Sequence, residues 1–270
     1  MRGFSPDWLA LREPADHAAR NGGLARAAAA LLSGSNPARI LDLGCGAGSN
    51  VRGFSPFVDL PQHWTLVDHD ARLLDAARRS LLPPARESGG RSATRTITVR
   101  QADLVRDLEN LLAAPCDLVT AAAFFDLVSG QWIERFCAAL AARRLPLYAV
   151  LTYDGIERWH PAHPLDAEIL GAFIAHQGGD KGFGPSAGRD AHGLLRVGLA
   201  RRGYVVREAQ SPWRLDQTQL PLIGQLADGI ASAACETGQV SAADAESWRR
   251  ARHAASACQI GHMDLLAVPR

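Results

Sequence analysis

Ile40-Leu41-Asp42-Leu43-Gly44-Cys45-Gly46-Ala47-Gly48-Ser49-Asn50 is the stretch on which the fold turns. A hydrophobic, β-prone run enters a turn with glycine at alternate positions, and a helical pattern follows. Gly44, Gly46 and Gly48 let a ligand approach the backbone where a Cβ would block it. Free amides at the start of the helix then face that ligand. Dinucleotide-binding turns use a related pattern, but they call for glycine or alanine where this chain has Ser49. Asp42, just before the turn, can pair with a cationic amine, which suits an amino-acid-bearing ligand better than a pyrophosphate. Cys45, between two glycines, reads as a small filler and not as a nucleophile.

Outward from this turn the chain alternates β-rich runs with helical patterns. Strands are expected at 39–43, 64–68, 96–101, 116–122 and 147–153, with helices near 70–82, 104–113 and 130–143. Nearly continuous apolar strands separated by helices indicate a parallel sheet covered on both faces. A helix over 14–33, with Pro14 in its first turn, precedes the first strand and is broken by Ser33-Gly34-Ser35-Asn36-Pro37. After residue 153 the rhythm stops. Residues 154–189, rich in Gly, Pro, His and Asp, exceed an ordinary connection, and within them a helix begins at Asp166 and ends at His176 and Gln177. A helix at 190–202 and a strand at 203–208 resume the pattern, 212–257 reads as helical, and 263–268 as a last strand. The 270 residues are expected to form one domain, with an N-terminal helical segment over 1–36. The insertions 154–189 and 212–257 are expected to cover the substrate, since loops on a rigid scaffold carry specificity.

Three further features fall in register with the turn. Thr65-Leu66-Val67-Asp68 puts a carboxylate at the end of the second strand, where it can accept from both hydroxyls of a ribose or cap the next helix. Gln101-Ala102-Asp103-Leu104 puts another at the end of the third, suited to an adenine amino group or to an ordinary N-cap. The fourth strand, Asp117-Leu118-Val119-Thr120-Ala121-Ala122-Ala123, ends in small residues that let its backbone reach a ligand. Together these residues resemble the class I S-adenosylmethionine-dependent methyltransferases, over 38–153 directly and over 190–270 through strand order alone. The resemblance implies an α/β fold with a doubly wound, mostly parallel seven-stranded sheet whose last strand is antiparallel, and S-adenosylmethionine as cofactor. It implies that the turn of Gly44, Cys45, Gly46 and Gly48 holds the cofactor, with Asp42 and the Gly44 backbone on the methionine amine. Asp68 then binds the ribose, His69 lines the adenine, Asp103 and the Leu104 amide read the adenine edge, and Ala121 offers its carbonyl. In such enzymes a helix ahead of the first strand often folds over the cofactor. Arg12 or Arg20 can then meet the methionine carboxylate as a bidentate partner, with Arg20 the candidate.

Methyl transfer from a sulfonium is an in-line displacement, so alignment is the protein's main task, and a base is needed only where the acceptor must lose a proton. Phe124-Phe125-Asp126 follows the fourth strand without an Asn/Asp-Pro-Pro-aromatic tetrapeptide, which counts against the enzymes that methylate amino groups of nucleic-acid bases and glutamines. Asp126 either orients an acceptor or caps a helix beginning near Gln131. His160, His163 and Asp166 stand three apart, a spacing that suggests a metal, but Pro161 and Pro164 disfavour a shared helical face and no metal is expected. His176 is the leading base candidate, the other reading being that it satisfies the carbonyls ending its helix. Lys181 is the only lysine in the chain, set among glycines, and is a candidate contact for an acidic acceptor or a lid.

Lys and Arg total 29 against 28 Asp and Glu, so no whole-surface attraction draws nucleic acid or anionic lipid. The five cysteines never form C-x-x-C and read as reduced thiols. No apolar core of a signal peptide and no membrane-spanning run is present, and a cytoplasmic location is expected. The expected function is methylation of a small-molecule acceptor, by a monomer or a homodimer. Two alternatives stay open: a non-catalytic adenosyl-ligand-binding or scaffold protein, and a nicotinamide-dependent oxidoreductase. Against the second, none of Tyr148, Tyr153 or Tyr204 has a lysine four residues on.

Overall fold

The apolar run Ala38–Leu43 forms β1, buried at every position but Arg39, as expected of a strand covered on both faces. In this computed structural model, which describes residues 4–81 and 94–270, β1 lies in parallel between β2 (Gln62–Asp68) and β4 (Leu118–Ala122). Beyond them lie β3 (Arg95–Gln101), paired with β2, and β5 (Leu147–His160), paired with β4. Near the other edge β8 (Ala257–Pro269) runs antiparallel between β5 and β6 (Tyr204–Gln210). The order β3-β2-β1-β4-β5-β8-β6 is the expected doubly wound seven-stranded sheet with an antiparallel last strand. An additional strand, β7 (Trp213–Asp216), pairs with β8 off this path, where a purely helical segment was expected. Four residues are too short a run to declare a strand by periodicity.

Alternate strand positions separate two cores. Leu41, Leu43 and Val67 pack against α5 (Leu108–Ala113), α6 (Gly130–Ala142) and α8 (Ala191–Ala200). On the opposite face Ile40, Trp64 and Leu66 pack against α2 (Gly22–Ala30), α3 (Ser49–Phe54) and α4 (Ala71–Leu81). A third core gathers Trp159 on the far half of β5, Trp213 on β7 and Trp248 on α10 (Ala242–His253), with α7 (Asp166–Gln177) and α9 (Leu220–Glu236). The first insertion therefore begins as strand: β5 continues to His160 through register shifts between Ala149 and Thr152 and between Tyr153 and Glu157. Among the described residues no helix is long and apolar enough to cross a membrane.

The N-terminal segment departs from the single helix expected over 14–33. Ser5 accepts a hydrogen bond from the Trp8 amide and Pro6 opens α1 (Pro6–Ala19), so Pro14 lies inside the helix and not in its first turn. The chain then bends at Arg20, and the Asn21 side chain caps α2 by accepting from the Leu24 amide at 3.0 Å. Asp264, wholly buried on β8, fixes this corner. Its carboxylate accepts from the Asn21 amide at 2.8 Å and from the Leu151 amide, in the bulge of β5, at 2.9 Å. Asp264→Ala leaves both amides without that partner. Thermal unfolding should show a Tm lower by about 6–12 °C, for a loss of about 3 kcal/mol, and Asp264→Asn, which keeps one acceptor oxygen, about half that loss. A Tm for the alanine variant within about 2 °C of the parent would mean the corner is held otherwise.

Candidate active site

The glycine turn is held by its own geometry before any ligand enters. Gly44, Gly46 and Gly48 all take positive φ, at 64°, 53° and 79°. A Cβ on Gly44 would stand 2.5 Å from Cδ2 of Phe124, and one on Gly48 2.5 Å from Cδ1 of Leu81. Two of the glycines are thus required by neighbouring side chains and by the left-handed backbone, before any approach of a ligand is considered. The Gly46 amide donates to Oδ2 of Asp68 at 2.9 Å, and the Asp70 amide donates to Oδ1 at 3.0 Å. Asp68 is not the cap of α4. Asp70 has that part, accepting from the Arg72 amide at 2.9 Å, and its pairing with the Arg72 side chain holds its carboxyl down at about 2.

Under the turn lies a buried polar chain. Asn50 donates through Nδ2 to Asp42 at 2.8 Å and to Thr120 Oγ1 at 2.9 Å, and Thr120 donates to the Tyr148 carbonyl at 2.8 Å. The Oδ1 of Asn50 accepts from Arg20 Nη2 at 2.8 Å, and the Arg20 guanidinium lies 5.7 Å from the Tyr148 ring centroid. Both charged residues are buried, Asp42 completely. Burial pushes the Asp42 carboxyl up to about 7, against the pull of the Asn50 hydrogen bond and the Arg20 charge. Among the described residues, Oδ2 of Asp42 and both Nε and Nη1 of Arg20 have no hydrogen-bond partner. Such orphans are costly in a folded interior.

A cavity of about 930 Å³ opens over the C-terminal ends of β1 to β4, where open α/β sheets bind ligands. The structure brings Arg20, Asp42, Gly44, Cys45, Gly46, Asp68, His69, Asp103, Leu104, His176 and Lys181 to its wall. Gly48 stands behind the turn, against Ala77 and Leu81. Ala121 is buried in the core and does not line the cavity; Ala122 and Ala123 do, because the chain turns out of β4 at Ala123, which has φ 49°. Asp126 is also absent from the wall. The short 3-10 turn after β4 aims Phe124 and Leu127 at the cavity and Asp126 away, with Oδ1 unpartnered and burial raising the carboxyl to about 6. Nor does Asp126 cap α6, since Ser129 accepts from the Trp132 amide.

The remaining candidates have partners of their own. Asp103 accepts from the Val105 amide at 2.8 Å and from Arg106 Nε at 2.9 Å, closing a turn; it is not the N-cap of α5, which begins at Leu108 after Asp107 and not near 104 as expected. His176, in the last turn of α7, meets Oε2 of Glu236 at 3.1 Å. His163 and Asp166 serve the turn before α7: the His163 amide donates to Asp166 at 2.8 Å, and the Leu165 amide donates to His163 Nδ1 at 3.2 Å. Among the described residues no group of three or more His, Cys, Asp or Glu could hold a metal.

No protein-family model matches the chain, and no curated protein matches it by sequence. Among solved structures, a cyclopropane synthase from Mycobacterium tuberculosis is similar with a TM-score of 0.51 at 16% identity, over 98% of this chain and 94% of that one. A methyltransferase from Geobacter sulfurreducens, in complex with S-adenosylhomocysteine, gives a TM-score of 0.46 at 14% identity, over 98% of this chain and 99% of its own. The fold is that of the class I methyltransferases.

On this methyltransferase fold Arg12, named in the sequence beside Arg20, has partners that the sequence did not disclose. Leu9, Arg12 and Asp16 of α1 line the cavity, and Arg12 binds Asp16 through two hydrogen bonds of 2.9 Å. Trp213 stacks under Arg12, with 4.9 Å from its ring centroid to the guanidinium carbon, and donates to Asp16 at 3.0 Å. The i,i+4 spacing of Arg12 and Asp16 was the available signal. Asn50 carried none, because a residue just inside a helix gives no hint that its amide bridges two strands. Gly44→Ala should destabilise the protein by more than about 2 kcal/mol, combining the clash with left-handed strain. In a Phe124→Ala background the same substitution should cost only about 1 kcal/mol, the strain that remains. Equal losses in the two backgrounds, by denaturant titration, would refute the contact.

Proposed function

We propose that this chain is an S-adenosylmethionine-dependent methyltransferase acting on a small-molecule acceptor. One observation carries the reading: an unpartnered carboxylate oxygen of Asp42 and two unpartnered nitrogens of Arg20, linked through Asn50, at the wall of the cavity beside the glycine turn. A zwitterionic amino-acid group satisfies both, its ammonium on Asp42 and its carboxylate on Arg20. A dinucleotide pyrophosphate offers nothing to a buried carboxylate. Arg12 is the weaker choice for the carboxylate, being committed to Asp16. The oxygens of Asp68 keep lone pairs beyond their two backbone amides, so the ribose hydroxyls can donate to them. Asp42, Arg20 and Asp68 would hold the cofactor, which would supply an electrophilic methyl group to the acceptor's nucleophile, with a sulfide as the leaving group.

The chain's own part is alignment and exclusion of water. Leu9, Phe124, Leu151 and Phe183 close apolar walls around the site, and a held geometry replaces the entropy of encounter. Where the acceptor must lose a proton, His176 is the base on the cavity wall, with Glu236 orienting its ring.

Isothermal titration should give micromolar binding of S-adenosylmethionine and S-adenosylhomocysteine, lost in Asp68→Ala and weakened about tenfold to hundredfold in Arg20→Ala. Binding of NADH in their place would overturn the proposal. The pH dependence tests Asp42 separately. An ammonium favours the carboxylate over the acid, and the free carboxyl sits at about 7, so affinity should rise as pH climbs through 7 and level off above it. At pH 6 binding of S-adenosylhomocysteine should be about tenfold weaker than at pH 8, and Asp42→Asn should be weak and lack this component. An unaltered pH profile in Asp42→Asn would exclude the ammonium contact.

A further inference from the structure

The cavity holds a second recognition element, opposite in sign to Asp42. Two neighbours along one loop, Lys181 and Phe183, both reach the cavity wall. The loop is built to hold them: Gly182 and Gly184 take positive φ of 98° and 81°, and Oδ1 of Asp180 accepts from both of their amides, at 2.7 and 2.9 Å. The Phe183 ring packs edge-on against Phe124, with centroids 5.9 Å apart, and against Trp132, at 5.5 Å.

Pairing distinguishes Lys181 from the other basic groups on the wall except Arg20. Arg12 pairs with Asp16, Arg106 with Asp103, and His176 with Glu236, while His69 faces Asp68. Among the described residues no ion pair forms on Lys181. The proposed cofactor does not supply one, because it carries two positive groups and a single carboxylate that Arg20 takes. Its sulfonium instead adds like charge to the same cavity. An anionic acceptor would neutralise both cations and would be drawn toward the electrophilic carbon. At about 930 Å³ the cavity lies near the top of the range for a single small ligand, which leaves space for a second molecule.

We propose that the methyl acceptor is a small aromatic acid, its carboxylate held by Lys181 and its ring by Phe183 and Phe124. A carboxylate fits better than a phosphate, which would draw a bidentate arginine or a run of backbone amides, whereas Lys181 is a single point charge. The assignment rests on the cofactor reading above, and the experiment separates the two.

With the protein saturated in S-adenosylhomocysteine, benzoate, 4-hydroxybenzoate and phenylacetate are titrated beside their neutral amides. At least one acid should bind about tenfold or more tightly than its amide, the scale of one charge-assisted contact. Lys181→Met should bring each acid to within about threefold of its amide, and Lys181→Arg should retain most of the preference. Phe183→Ala should weaken acid and amide by the same factor. The affinity for S-adenosylhomocysteine itself should be unchanged in Lys181→Met, which also reports that the variant is folded. Failure of S-adenosylhomocysteine to bind the parent protein would remove the cofactor reading. With that ligand bound, the acceptor assignment alone falls in any of four cases: no acid binds, acids and amides bind equally, the preference survives Lys181→Met, or that variant loses the cofactor product.

Discussion

The carboxylate of Asp264 never reaches the cavity, yet the cavity depends on it. Buried on β8, it accepts from the amide of Leu151 in the bulge of β5 and from the amide of Asn21 between α1 and α2. The first contact accommodates Leu151 at a positive φ of 57°, a conformation unfavourable for a leucine without compensating bonds. The second fixes the corner from which Arg20 turns inward to Asn50 and α1 runs along the cavity wall. β8 can do this because it is the antiparallel strand inserted between β5 and β6. One carboxylate thereby ties the last strand to the first helices, across 243 residues of sequence.

The positions of the first five strands and the glycine turn were legible because each is written locally. Apolar runs bounded by turn residues give β1 to β5, and glycine at alternate positions marks a tight turn that larger residues would strain. The errors share a physical cause: long-range partners decide what local pattern leaves open. Pro14 suggested a helix start, but Ser5 and Pro6 supply a better one upstream. β7 exists only because β8 offers an edge for its four residues. Ala121, Ala122 and Ala123 are identical in type, and only the turn at Ala123 decides which of them meet the cavity. Asp42 and Asp68 were found as carboxylates at strand ends, but the bridging of Asn50 and the clamp of Asp68 on the Gly46 amide had no sequence signal.

The cavity is a place where charge has been arranged by burial as much as by pairing. Asp70 is held ionised by Arg72, at about 2, whereas Asp42, without a direct cationic partner, is lifted to about 7. Two aspartates at neighbouring strand ends therefore differ by environment alone. The half-buried one steadies a helix start, and the fully buried one keeps a response to any cation brought beside it.

The contact between Phe124 and Gly44 bears on how such a protein can change over evolutionary time. The ring that walls the cavity also fills the space a Cβ would need at the turn, so alteration at Phe124 disturbs a part of the molecule that every ligand of the turn requires. Phe183 presents a second ring to the same cavity from a loop held mainly by its own glycines and Asp180. Drift in acceptor preference is thus channelled: it is cheap through the loop and expensive through the turn after β4. Descendants of this sequence would diverge first between residues 180 and 184 while keeping phenylalanine at 124.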